Sequence, residues 1–287
     1  MVIDKYKLIN GDSTEELAKI PDNFVQCTVT SPPYDNLRTY GSLSDWNFDA
    51  FKKIANELYR VTAPGGVVVW VVGDATFDGS ETGSSFRQAL YFQEIGFLIH
   101  DTMIYEKNSS AYPAQPTGNR YTQIFEYMFV FSKGKPTHYH LLCDKENKYA
   151  GSSSWGNVSH YDTNGNLVSD AHAIHKVPDS SPRNNIWKYS VGFNDKTDHP
   201  AVFPEQLAED HILSWSNEGD IILDPFMGSG TTGKMALKNN RKFIGIELNP
   251  DYFNICEQRV INYKNSQKIN YRIPKHDSAS AKPVDLF

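Results

Sequence analysis

The sequence predicts an α/β fold with a mainly parallel sheet, an antiparallel strand pair and a smaller loop-rich region. Three observations predict it. Strand-like apolar runs recur along the chain, helical patterns stand between several of them, and a polar stretch of weak periodicity interrupts the series.

The elements follow in order. VQCTVT (25–30) is a β-branched run that ends at Ser31-Pro32-Pro33-Tyr34. Two consecutive prolines fix two φ angles and cannot donate ladder hydrogen bonds, so the strand stops rigidly there. FDAFKKIANELYRV (48–61) and SSFRQALYFQEI (84–95) carry helical patterns on either side of the apolar strand GVVVWVV (66–72). FLIHDTMIYE (97–106) and QIFEYMFVF (123–131) are separated by about sixteen residues that include Pro113, Pro116 and Gly118. An antiparallel pair joined by a long loop is expected. After the polar stretch come a helix (204–215), a strand (220–226), a helix (231–240), a strand (242–248) and a last helix (251–263).

Residues 133–198 are rich in Ser, Asn, Asp, Gly, Tyr and His. The part from 133 to 188 holds seven Lys/Arg, five Asp/Glu and five His in a chain of net charge −6. Loops over a rigid scaffold commonly carry binding residues. The chain therefore divides into a first α/β half (1–132), a loop-rich region (133–198), a second α/β half (199–263) and a polar tail (264–287), which is expected to be poorly ordered.

Hydrophobic residues make up 39 % of the 287 and charged residues 22 %, the composition of a soluble globular protein. No run approaches the length of a membrane span, and MVIDKYKLINGD has no signal-peptide pattern. Cys27, Cys143 and Cys256 are scattered, without metal-ligand spacing, and read as reduced thiols of a cytoplasmic protein. The net negative charge argues against a general nucleic-acid binder but says nothing of how charge is distributed.

DIILDPFMGSGTTGKMALKNNRKFIGIELNP is the densest motif. A strand ends at Asp224-Pro225-Phe226, a glycine turn and helix follow, and the next strand ends at Glu247. Ligands bind at the carboxyl ends of parallel strands. Three ligands compete for this turn. Gly228, Gly230 and Gly233 satisfy G-x-G-x-x-G, with Glu247 nineteen residues after Gly228, as in a dinucleotide fingerprint. Gly228 to Lys234 fits a phosphate loop, but Met235 replaces its Ser/Thr. S-adenosyl-L-methionine is the third, its ribose on a carboxylate after the next strand. The glycine motif alone leaves all three open.

Taken together, Ser31-Pro32-Pro33-Tyr34 and Asp224-Pro225-Phe226-x-Gly228-x-Gly230-Thr231-Thr232 resemble the amino-methylating DNA methyltransferases, over about residues 8–262. These enzymes methylate exocyclic amines of cytosine or adenine. The catalytic motif comes first, as in the permuted β group. The resemblance implies a Rossmann-like adenosylmethionine-dependent fold and assigns the cofactor motif to Asp224–Thr232. LINGDS (8–13) is similar to that group's opening segment, which puts Asp12 near the adenine. HPAVFPEQL (199–207) is similar to the segment under the methionine part, with His199 and Phe203. PGGVVVWVVGD (64–74) matches the strand after the catalytic helix. IGIELNPDYFNIC (244–256) places Glu247 on the ribose, beside Asn249.

The chemistry fits the residue types. An exocyclic amine is a weak nucleophile, and rigid acceptors at Ser31 Oγ and the Pro32 carbonyl draw it toward tetrahedral geometry. Pro33 stiffens the motif, and Tyr34 offers a face on which a flipped-out base stacks. No nucleophilic cysteine or metal is required. Ser at the first position resembles the cytosine-N4 subgroup, whereas Asp or Asn is commoner among adenine-N6 enzymes; both targets stay open, with cytosine N4 leading. A nicotinamide-dependent oxidoreductase is the alternative of another class, and it leaves Ser31–Tyr34 unexplained. Double-stranded DNA is the partner implied, with room for a cognate restriction endonuclease and a homodimer. Within 133–198, Lys133, Lys135, His138, His140, Lys176, Arg183 and Lys188 are the candidate DNA readers. Arg183 leads, since Asn184 and Asn185 follow it and Arg pairs with guanine and Asn with adenine.

Overall fold

The computed structural model describes the chain except residues 2, 34–45, 109–117, 155–157, 171–174, 191–203 and 271–287. The expectations for Tyr34, His199 and Phe203 therefore fall outside the described residues.

Eight strands form the central sheet: β1 (Tyr6–Asn10), β2 (Val25–Thr30), β3 (Thr62–Val72), β4 (Leu98–Lys107), β5 (Phe125–Ser132), β6 (Ile186–Tyr189), β7 (Ile221–Asp224) and β8 (Lys242–Glu247). Their spatial order is β1-β8-β7-β2-β3-β5-β4-β6. Strand β5 runs antiparallel to both neighbours, and every other pairing is parallel. The expected antiparallel pair is β4 with β5.

Helices cover both faces: α1 (Ser13–Glu16), α2 (Phe48–Val61) and α3 (Ser84–Glu94) on one, α4 (Glu205–Trp215), α5 (Thr231–Lys238) and α6 (Pro250–Asn270) on the other. Strand β3 shows why two cores form. Its side chains alternate, so Val67, Val69 and Val71 join the core under α4–α6. Val68, Trp70 and Val72 join the one under α2 and α3, with Phe51, Leu58 and Phe92. A strand buried on both faces reads as a continuous apolar run, as GVVVWVV does.

The loop-rich region contains an interrupted antiparallel ribbon. Lys145–Glu146 pairs with Ser180–Ser181, Ser153–Ser154 with His175–Lys176, and Val158–Tyr161 with Leu167–Asp170. These pairings nest inside one another around a turn in which Asp162 accepts from the Asn164 and Asn166 amides, each at 2.8 Å. The segment does not stay apart from the sheet. Strand β6 rejoins it beside β4, with Trp187 and Tyr189 buried in the core. Among the described residues, no helix is long and apolar enough to cross a membrane.

Candidate functional site

The parallel strands β1, β8, β7 and β2 end side by side, and each end carries a polar group. Asn10 sits opposite Glu247 in register, and Asp224 opposite Gly245. The Gly11 amide and Asn10 Nδ2 both donate to the Glu247 carbonyl, at 3.0 and 2.8 Å. This bends the chain leaving β1 over the end of β8. Asp12 then caps α1, its Oδ1 accepting from the Thr14 amide at 2.7 Å and the Thr14 hydroxyl at 2.8 Å. Buried Ser13 donates its hydroxyl to the Pro225 carbonyl, which ties α1 to the turn after β7.

The glycine turn wraps around the Glu247 carboxylate. The Gly228 amide donates to Oε2 at 2.9 Å and the Asn249 amide to Oε1 at 2.8 Å. Each oxygen keeps a lone pair for a further donor. Burial raises the Glu247 pKa, and the amide donors oppose that. Gly230 stands at φ +82°, and a Cβ there would lie 2.4 Å from Cys256 Sγ. That position requires glycine both for its left-handed backbone and for the approach of α6.

Asp224 is 2 % exposed. Its Oδ1 accepts from the Thr30 hydroxyl at 2.7 Å and the Phe226 amide at 3.0 Å. Burial pushes its pKa up to about 6, against the pull of these donors. Thr30 immediately precedes Ser31. Thr232, from α5, donates to the Val29 carbonyl at 3.2 Å. Two bonds therefore latch β2 to the elements that carry the glycine turn. Pro32 is buried, and Ser31 and Pro33 are partly exposed. Phe226 packs edge-on against Trp46, with ring centroids 5.3 Å apart.

Asp12, Ser31, Pro32, Pro33, Asp224, Pro225, Phe226, Gly228, Gly230, Thr231, Thr232, Glu247 and Asn249 thus share the carboxyl-end rim of the sheet. The geometry bears on the competing ligands of the glycine turn. Lys234, the would-be phosphate lysine, pairs with Glu205 on α4. The buried Cys27 and Cys256 thiols have raised pKa values, Cys256 up to about 12. Neither is set up as a nucleophile. An adenosyl ribose offers hydroxyl donors that suit the remaining Glu247 lone pairs, so the residues present fit an adenosine-bearing cofactor.

The candidate DNA readers separate into two kinds. Lys133 Nζ donates to Asn23 Oδ1, the Tyr59 carbonyl and the Thr62 carbonyl at 2.8, 2.7 and 2.9 Å. Arg183 Nε and Nη2 face Asp144, Nη1 faces Asp210, and the guanidinium lies over Trp187. His138 meets Asp220 at 2.8 Å and His140 meets Asn217 at 2.7 Å. Lys188 reaches Glu106 at 2.6 Å. Lys135 and Lys176 are exposed. Sequence reading missed Ser13, Thr30, Glu205 and Arg259 as parts of the site. The TS in VTSPPY was the only local signal for Thr30, since its partner lies 194 residues away.

Comparison with known proteins completes the picture. M.BamHII of Bacillus amyloliquefaciens, an orphan methyltransferase, is 53 % identical over 266 residues, 89 % of this chain and 97 % of that protein. The PvuII DNA methyltransferase, cytosine-N4-specific, superposes with a TM-score of 0.68 at 20 % identity, over 94 % of this chain and 93 % of its own. A putative DNA modification methylase of Thermus thermophilus, TTHA0409, complexed with S-adenosyl-L-methionine, has a TM-score of 0.61 at 25 % identity, over 91 % and 96 %. The sequence profile of the N6/N4 DNA methylases, described as DNA methylase, matches residues 25–258. That span opens on the first residue of the strand that leads into Ser31 and closes in the helix behind the glycine turn, so the chain belongs to this family and is a DNA methyltransferase.

Proposed function

We propose that this enzyme transfers a methyl group from S-adenosyl-L-methionine to the exocyclic N4 amine of cytosine in double-stranded DNA, in the cytoplasm, at a specific site. The observation that carries the reading is the Thr30–Asp224 latch, which holds the catalytic strand end against the cofactor turn. When bound, the cofactor supplies an electrophilic methyl carbon on a sulfonium. Glu247 would accept the ribose hydroxyls and Asp12 the adenine amine, and the glycine turn would hold the methionine part. Ser31 Oγ and the Pro32 carbonyl accept the amine N–H groups, freeing the nitrogen lone pair for attack. That nitrogen would take the methyl group, and the N–H proton held at Ser31 Oγ would pass to water as the amine is methylated. Tyr34 stacks the flipped base.

A two-stranded ribbon fits the major groove, and the three nested strand pairs between Lys145 and Ser181 follow that pattern. We assign target recognition to them, with Lys176 on the ribbon as a phosphate contact and exposed Lys135, in the turn that packs on Gly65 at the start of β3, as a second. Lys133 and Arg183 brace the fold instead, because their donors already have internal partners. Adenine N6 is the second reading, since a hydroxyl acceptor serves either amine. A cognate endonuclease and a homodimer stay part of the proposal, and sedimentation of the full chain tests the second.

Ser31→Ala is expected to keep cofactor affinity and lower turnover about 10²-fold, the cost of one preorganised hydrogen bond. Calorimetry with S-adenosylmethionine and single-turnover methylation measure the two effects. Sequencing of modified DNA from expressing cells reads the base and the site together. N6-methyladenine there would replace the cytosine reading, and full activity in Ser31→Ala would remove Ser31 from the chemistry.

A further inference from the structure

Helix α5 begins immediately after the glycine turn, with Gly230 as its N-cap and no side-chain cap. Such a start leaves the turn dependent on outside contacts. Arg259 of α6 provides them. Its Nη1 donates to the Ser229 carbonyl at 3.1 Å, to Ser229 Oγ at 2.8 Å and to Thr231 Oγ1 at 3.5 Å. Its Nη2 donates to Glu205 Oε1 at 2.9 Å, at the start of α4. The side chain is 14 % exposed. One helical turn back on α6, Cys256 fills the space beside Gly230.

We propose that Arg259 is a positioning residue for the cofactor, holding the glycine turn in its binding path from behind. The inference rests on the functional reading above. A planar guanidinium reaches the turn and the Glu205 carboxylate at once, whereas an ammonium group is a point donor that cannot reproduce the fork. Glu205, which Lys234 also meets, joins α4 to the same turn. Loss of the fork frees the Ser229 carbonyl and the left-handed residue after it, so the turn samples paths that do not fit the ligand.

The test is calorimetric titration of S-adenosylmethionine into the full chain as parent, Arg259→Met, Arg259→Lys and Arg241→Met. Arg241 is the control. It is also largely buried and holds backbone carbonyls of Ser216 and Asn239, but at the amino end of β8. Arg259→Met is expected to raise Kd at least about tenfold, and Arg259→Lys to fall between it and the parent. Arg241→Met should lower the melting temperature and leave Kd within about twofold. If Arg259→Met does not fold, Arg259→Lys carries the comparison, with an expected rise of about threefold. Parent-like Kd in the Arg259 variants overturns the inference, as does an equal rise in Arg241→Met at equal loss of melting temperature. Failure of the parent itself to bind overturns the functional reading, and the inference with it.

Discussion

The glycine-turn site and the root of the ribbon both contain buried carboxylates, and they treat them in opposite ways. At the turn, Asp224 and Glu247 are held by neutral donors, a hydroxyl and backbone amides. Their pKa values are raised by burial. At the root, Asp210 is held by the Arg183 guanidinium, the Tyr189 hydroxyl at 2.7 Å and Gln206 at 2.7 Å. Asp144 takes the other side of the same guanidinium and is held well below its ordinary pKa by it. Neutral donors orient a carboxylate without cancelling its charge, so acceptor capacity remains for a ligand. An arginine fork cancels it and leaves a brace. The difference separates a candidate site from a joint built with the same acidic residue types.

Removing the brace should have the largest effect. Arg183→Met leaves Asp210 buried without its cation, and breaking a buried pair from one side costs about 3–5 kcal/mol. We expect about 4 kcal/mol from urea unfolding, within that range. Asp144→Asn should cost under about 1 kcal/mol, because its side chain is half exposed. An Arg183→Met variant as stable as the parent would erase the contrast between joint and site.

At the turn, the effect is one of pH. The folded-state pKa of Asp224 is raised to about 6. The folded chain therefore keeps a proton that the unfolded chain gives up near the ordinary carboxylate value. The stability this contributes is fully present below that value and is lost as pH rises through about 6. The shift corresponds to about 2 kcal/mol between pH 4 and 7. Asp224→Asn cannot titrate. In cofactor-free unfolding, its stability relative to the parent should rise by about that amount across the range. A constant difference would show that Asp224 is charged throughout, and that the turn compensates its carboxylate as fully as the root does.

The elements of the sheet were legible because burial on both faces writes long apolar runs. Strand β1 and strand β6 were not. Tyr6–Asn10 and Ile186–Tyr189 are short edge strands among polar residues, and their partners are distant in sequence. The glycine turn was legible because its glycines and its Asp-Pro-Phe lie together in the chain. Its supports were not, because Ser13, Thr30 and Arg259 acquire meaning only from bonds to residues elsewhere in the chain. Arg183 shows what a local reading leaves out. Beside Asn184 and Asn185 it reads as a base contact, yet its donors face Asp144 and Asp210. A local reading cannot tell a free guanidinium from a paired one.

The smallest expected effect probes the lysines of the same segment. Lys135 and Lys176 are exposed, whereas Lys133 directs its ammonium at two carbonyls and an amide oxygen. Burial lowers the Lys133 pKa, which fits a structural role. A lysine that neutralises one phosphate releases counterions and contributes about 0.9 to the slope of log K against log salt. Lys135→Ala and Lys176→Ala should each flatten that slope by about this amount, weakening binding on every DNA sequence alike. Lys133→Met should lower stability and leave the slope unchanged. Fluorescence anisotropy over a salt series, on two unrelated duplexes, measures it. A slope that falls with Lys133→Met and holds with Lys176→Ala would move the DNA track off the ribbon and onto the amino end of β3 beside α2. Loss confined to one duplex would instead make the affected lysine a base reader. Only the uniform, slope-changing pattern supports phosphate contact on the ribbon, because a solvated lysine away from the duplex releases no counterions when DNA binds.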